Sequence, residues 1–142
     1  MPSVERSIVI NVPPEKIWEI SKDPANWHTW FEGTTPPKSV QGSGDVGTVV
    51  ETSLSIASMA FPAQIKVVEA TPAVLWKGEF STTGATGTQQ WAYERVGGGT
   101  QLTFTMAANL SGPAKLAEGL LTKSFEQMAD KTLANLKSLS EK

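Results

Sequence analysis

The sequence predicts an α+β protein: a curved antiparallel sheet of six to seven strands wrapped around one long C-terminal helix. Three observations carry that prediction. Between Pro36 and Leu110 no helical period occurs, and apolar and polar residues instead alternate in runs separated by turn residues. Each run has one apolar and one polar face, the pattern of an antiparallel sheet covered on one side only. After Pro113 apolar residues recur at spacings of three and four with no further proline, which describes the helix that supplies the cover.

The elements follow in order. "SIVINV", residues 7 to 12, alternates and is rich in β-branched side chains, so it reads as a strand. "PPEKIWEIS" then starts a helix. Its prolines suit a first turn, Glu15 favours the positive end of the helix dipole, and Ile17, Trp18 and Ile20 form a narrow apolar stripe. Asp23 caps a second short helix with Pro24 in its first turn. That helix sets Trp27, Trp30 and Phe31 on one side and stops at Gly33. "KSVQGSGDVG" carries turn signals around a short strand, and "TVVETSLSIA" is β-rich. "FPAQIKVVEATP" alternates with Ile65 and Val67 on one face. "AVLWKGEF" sets Val74, Trp76 and Phe80 against Lys77 and Glu79, and "GTQQWAYERV" sets Trp91 and Tyr93 against Gln90 and Glu94. "RVGGGTQ" supplies the glycines of a hairpin turn. It leads into a strand with Leu102, Phe104, Met106, Ala108 and Leu110 on its apolar face. From Gly112 and Pro113 onward, Leu121, Phe125, Met128, Thr132, Leu136 and Leu139 mark a helix of roughly 25 residues, about 38 Å long.

Composition narrows the chemistry. The 142 residues, with no repeat or linker, predict one domain over 1–142. At that length roughly 68–70% of the unfolded chain's surface is hidden on folding, so a core forms without covalent staples. There is no cysteine, which rules out disulfides, thiolate nucleophiles and Cys-based metal or iron–sulfur sites. The net charge is −2, and the twelve Lys and Arg are scattered. A nucleic-acid partner needs a basic face to displace counterions, and none is visible. The N-terminus meets Glu5 and Arg6 at once, and no run is long enough to cross a bilayer. The expectation is a cytoplasmic protein without stable membrane insertion.

The order of strand, two short helices, antiparallel strands and long terminal helix resembles the helix-grip fold of the START-like (SRPBCC) superfamily, in particular its polyketide cyclase/dehydrase and lipid-transport branch. The resemblance rests on "VPPEKIWEIS", "DPANWHTW", "GSGDVGT", "VVEATPAVLW" and "GGGTQLTFT", and spans nearly the whole chain. It implies an apolar cavity between sheet and helix, its mouth framed by the short helix and the strand-connecting loops. Trp27, Trp30 and His28 are then expected to wall that cavity near its entrance.

Alternation places Trp76, Phe80, Gln89, Trp91, Tyr93, Phe104 and Met106 among the inward candidates, with Phe31 beside them on the short helix. On the long helix Met128 lies on the main stripe, and Leu120 and Ser124 border it. Glu79, Arg95, Lys115 and Glu118 read as solvated. Each aromatic taken singly also fits a core-filling role, but five tryptophans exceed what covering one helix requires. No G-x-S-x-G elbow accompanies the single histidine, and "GSGDVG" lacks the Lys-Ser/Thr of a phosphate loop. No metal or cofactor is expected. Tyr93 and His28 are the candidates for proton transfer, though each also has a bland reading, as a satisfied core phenol and a surface imidazole. Three functions therefore stand side by side. They are carriage of a small hydrophobic ligand (a lipid, polyketide or aromatic compound), an enzyme of the cyclase/dehydrase type, and a protein-interaction module of the co-chaperone kind. The oligomeric state is left open by the sequence.

Overall fold

The computed structural model describes residues 3–56 and 59–142. The strand expected to end at Ala57 therefore reaches beyond the described residues. Among these residues, seven strands form one fully antiparallel sheet in the order β1-β7-β6-β5-β4-β3-β2. They are β1 (Ser3–Ile10), β2 (Ser39–Gln41), β3 (Val49–Ile56), β4 (Met59–Thr71), β5 (Leu75–Thr82), β6 (Ala85–Val96) and β7 (Gly99–Leu110). After β1 the chain crosses to the far edge through α1 (Pro14–Ser21) and a 3-10 helix (Pro24–Thr29). It then meanders back strand by strand until β7 pairs with β1.

Local chemistry accounts for each element. Pro14 opens α1, and Ile17 and Trp18 bury its apolar stripe. Asp23 accepts the Ala25 backbone N–H at 3.0 Å and so caps the second helix, which winds as 3-10 over its single stretch of six residues. β1 begins at Ser3, earlier than the alternation implied, because it pairs with β7 from Ser3↔Ala107 to Ile10↔Thr100. The expected parity holds in β4 to β7: Ile65, Val67, Trp76, Phe80, Trp91, Tyr93, Leu102, Phe104, Met106 and Ala108 are all buried. Val74 departs from it. It lies in the turn before β5 and is exposed, since the strand begins only at Leu75. A β-bulge between Val67 and Glu69 bends the long β4.

The terminal helix is in two pieces, α2 (Pro113–Leu116) and α3 (Glu118–Ser140), broken where Ala117 leaves helical geometry at ψ 20°. α3 packs chiefly along β1 rather than over the sheet centre. Its buried row is Phe125, Ala129, Thr132, Leu133, Leu136 and Ser140, and the flanking Leu121, Met128 and Leu139 are only partly covered. The C-terminal half is well tied. Arg6 pairs with Glu126 at 3.0 Å and Asp130 at 3.1 Å, and the Thr132 hydroxyl accepts the Glu32 N–H at 3.0 Å. Asn135 donates to the Trp30 carbonyl at 3.1 Å. The first turns, with Glu118, Gly119 and Leu120 exposed, overhang the sheet. Because α3 runs along one margin, the space above the sheet centre falls to aromatic side chains.

Candidate functional site

The centre of the concave face is an aromatic stack. Trp76 and Trp91 are cross-strand partners on β5 and β6, and Trp91 faces Phe104 on β7 with ring centroids 4.4 Å apart. The 3-10 helix lowers Trp27 edge-on against Trp76 at 5.4 Å and sets Trp30 edge-on against Trp91 at 5.4 Å. These are the offset and edge geometries that aromatic quadrupoles favour. Gly78 makes one of them possible. A Cβ there would meet the Trp76 ring at 2.6 Å, so the indole lies down over a bare stretch of strand.

Little room is left inside. An inner hollow bounded by Trp27, Trp30, Ile65, Trp76, Trp91 and Tyr93 holds about 20 Å³, room for about one water molecule. Phe31 and Gln89 also line it, and both continue into a middle hollow of about 20 Å³ beside Phe80, Met106, Phe125 and Met128. Ala85 and Phe125 pass in turn into an outer hollow of about 310 Å³. Its walls are Met59 and Phe61 of β4, Leu110 of β7, Ala114 and Ala117 around the helix break, and Leu120 and Leu121 of α3. The overhanging start of α3 and the break at Ala117 create this space.

The expected residues therefore divide. Trp27, Trp30, Phe31, Trp76, Gln89, Trp91 and Tyr93 line the inner hollow; Phe80, Met106 and Met128 line the middle one, and Leu120 the outer one. Phe104 lines none of the three, since it is buried beneath Trp91 as core. Ser124 is half-buried on α3 and lines none of them. His28, half-buried on the 3-10 helix with its Nδ1 buried and unpartnered among the described residues, lines none of them either. The roomiest of the three hollows lies at Met59, Phe61 and Leu120, away from the Trp27 and Trp30 side chains that line the inner one. Sequence reasoning missed that outer hollow. Leu110 was read as inward and Leu120 as bordering the helix stripe, but the break at Ala117 gives no signal in the apolar spacing.

The polar atoms of the inner hollow fall into two groups. Tyr93 and Trp27 are committed. The Tyr93 hydroxyl and Ser21 Oγ are 2.7 Å apart, and Trp27 Nε1 donates to the Ser21 carbonyl at 2.9 Å. Burial pushes the Tyr93 phenol well above its ordinary range, against a smaller opposing effect of the Ser21 bond. Trp30 Nε1, Trp76 Nε1 and Gln89 Oε1 are buried and meet no hydrogen-bond partner among the described residues. Uncompensated burial of such groups is costly. No charged side chain lines any of the three hollows among the described residues. No group of three His, Asp or Glu able to hold a metal ion occurs among them, and no helix is long and apolar enough to cross a membrane.

A seven-stranded antiparallel sheet gripping a terminal helix, with an apolar hollow between them, defines the helix-grip class. The chain belongs to the polyketide cyclase/dehydrase and lipid transport family, whose model matches residues 1–141. It is similar in fold to the Zhui aromatase/cyclase from Streptomyces sp. R1128, with a TM-score of 0.84 at 16% identity over 98% of this chain and 93% of that one. It is also similar to a START superfamily protein from Mycobacterium smegmatis, with a TM-score of 0.76 at 12% identity over 98% of this chain and 99% of that one. Comparison with curated proteins finds no match.

Proposed function

We propose that the protein binds and carries a small hydrophobic molecule between the sheet and the overhanging start of α3. The observation that carries this reading is the outer hollow of about 310 Å³, walled by Met59, Phe61, Leu110, Leu120, Leu121 and Phe125. Met59 and Leu120 remain 61% exposed there, so apolar surface is left for a ligand to cover. The space suits a compact apolar molecule. Inward growth of the ligand requires Phe125 and Met128 to turn, and a methionine yields readily because its side chain is unbranched. The family's lipid-transport and cyclase descriptions are in keeping with such a site.

The cyclase/dehydrase reading has weaker support. Tyr93 already shares its hydroxyl with Ser21, and His28 lines none of the hollows.

The test uses N-phenyl-1-naphthylamine, a neutral dye that brightens in apolar surroundings. Wild-type protein is expected to bind it saturably. Ala117→Trp, which fills the outer hollow from the helix break, should weaken binding roughly tenfold or more, with thermal unfolding unchanged. Equal binding by the two proteins would remove the outer hollow as the site.

A further inference from the structure

The three hollows form a series, and the residues they share mark its necks. Phe31 and Gln89 line both the inner and the middle hollow, and Ala85 and Phe125 line both the middle and the outer one. Ala85 lies on β6 and Phe125 on α3, so sheet and helix each give one side chain to the outer neck. Only Phe125 has the bulk to close it. Its side chain is buried, the first of the buried row along α3.

Two features keep that ring in place. Arg6 on the edge strand β1 pairs with Glu126, next to Phe125, and with Asp130 a turn further on, so this part of α3 is tied to the sheet. A phenyl ring also refits less easily than a thioether. Met128, which shares the wall of the middle hollow, is unbranched and adapts its shape to a guest, whereas the ring of Phe125 keeps its own. The rooms on either side of the neck are unequal. At about 310 Å³ the outer hollow takes about ten groups the size of a water molecule, and at about 20 Å³ the middle one takes about one. We propose that Phe125 is the specificity-determining residue of this site: it ends the buried part of the ligand after about ten non-hydrogen atoms and bars longer chains from the middle hollow. The proposal rests on the ligand-binding reading above and narrows its class to neutral molecules with a short chain or a bicyclic ring, since no charged side chain lines any of the hollows among the described residues. The naphthyl group of N-phenyl-1-naphthylamine has that size, and its phenyl ring then projects beyond the hollow.

The methionines supply the readout. Of the three hollows, Met59 lines only the outer one, and Met106 and Met128 line only the middle one. The full chain, labelled at its methionine methyl groups, is titrated with 1-hexanol, 1-octanol, 1-decanol and 1-dodecanol, each also tested as a competitor of the dye. Every methylene that is newly buried strengthens binding roughly fourfold. In wild-type protein the gain should run up to decanol and stop there, with dodecanol shifting Met59 and leaving Met106 and Met128 unmoved. In Phe125→Ala the gain should continue, so that dodecanol binds roughly tenfold or more tighter than decanol and shifts Met106 and Met128 as well. Phe125→Leu should fall between the two. The wild-type pattern needs no variant, so a variant that fails to fold does not spare the proposal. If affinity still climbs from decanol to dodecanol in wild-type protein, or dodecanol moves Met106 and Met128 there, the role of Phe125 is overturned while the carrier reading stands. A folded Phe125→Ala protein with the wild-type length limit overturns it equally. If no alcohol displaces the dye or moves Met59, and the dye itself does not bind, both readings fall together.

Discussion

Tyr93 shows how a residue's role turns on one contact. Alternation along β6 was enough to face it inward, but its hydroxyl lies 2.7 Å from the oxygen of Ser21, a residue 72 positions away. That contact ties the phenol to α1 while its ring lines the inner hollow. Its titration follows. Burial raises the folded-state value, while in the unfolded chain a tyrosine ionises near about 10. Above that pH the unfolded chain loses its proton first, so stability is complete below about pH 10 and declines as pH rises beyond it. Tyr93 is the only tyrosine, so tyrosinate absorbance reports it alone. The expected outcome is ionisation well above the ordinary range, coinciding with unfolding. Tyr93→Phe should lower stability by about 1 kcal/mol at neutral pH by leaving Ser21 Oγ unpaired, and should flatten the alkaline decline. Gln89 carries the opposite lesson. It was legible as the polar member of an inward row, yet that its oxygen is buried without a partner among the described residues became visible only in the folded structure.

Among the elements, strand identity and parity were the most legible features, because a period of two with one apolar face admits few other readings. The strand-to-strand approach was not. Gly87 sits in β6 opposite Ala108, where an added Cβ would lie 2.0 Å from the Ala107 carbonyl oxygen. Nothing in "GTQQWAYERV" distinguishes that glycine from one that merely ends a turn. Gly87→Ala is expected to cost about 1–3 kcal/mol, as overpacking against backbone does, and to be read as a lowered denaturation midpoint. A midpoint within error of wild type would mean that β6 and β7 separate freely there. The terminal helix was legible in its extent and apolar spacing but not in its interruption. Apart from Gly119, the residues after Pro113 favour a helix, so Ala117 reads as interior. It breaks because the chain must turn from the end of β7 onto the margin along β1, a constraint held in tertiary packing.

For the whole molecule, the two ends of the hollow differ in how firmly they are held. The C-terminal half of α3 is fastened by Arg6, Thr132, Asn135 and the Lys137–Glu141 pair, and Asn11 donates its backbone N–H to Glu141 at 2.8 Å. The Lys137 bond chiefly, with that N–H, holds the Glu141 carboxyl below its usual value, and the bond to Arg95 does the same for Glu15 on α1. Depressed folded values mean that these contacts stabilise above about pH 4.3 and are lost as pH falls through the lower folded values. Thermal unfolding followed from neutral to acid pH should therefore fall below that point, and Glu141→Gln should make the fall shallower. Both groups are exposed, so added salt should shrink the difference. An acid limb identical in the two proteins would deny Glu141 that part. The sequence alone determined the α+β class, the sheet, its inward faces and the family resemblance, since each depends on periodicity and order that the chain carries locally. Only the tertiary structure decided that the indoles nearly fill the space they line, that the roomiest of the three hollows lies at Met59 and Leu120, and that Trp30, Trp76 and Gln89 bury polar atoms without partners among the described residues. Those facts depend on where separate elements come to rest against one another, which no local pattern encodes.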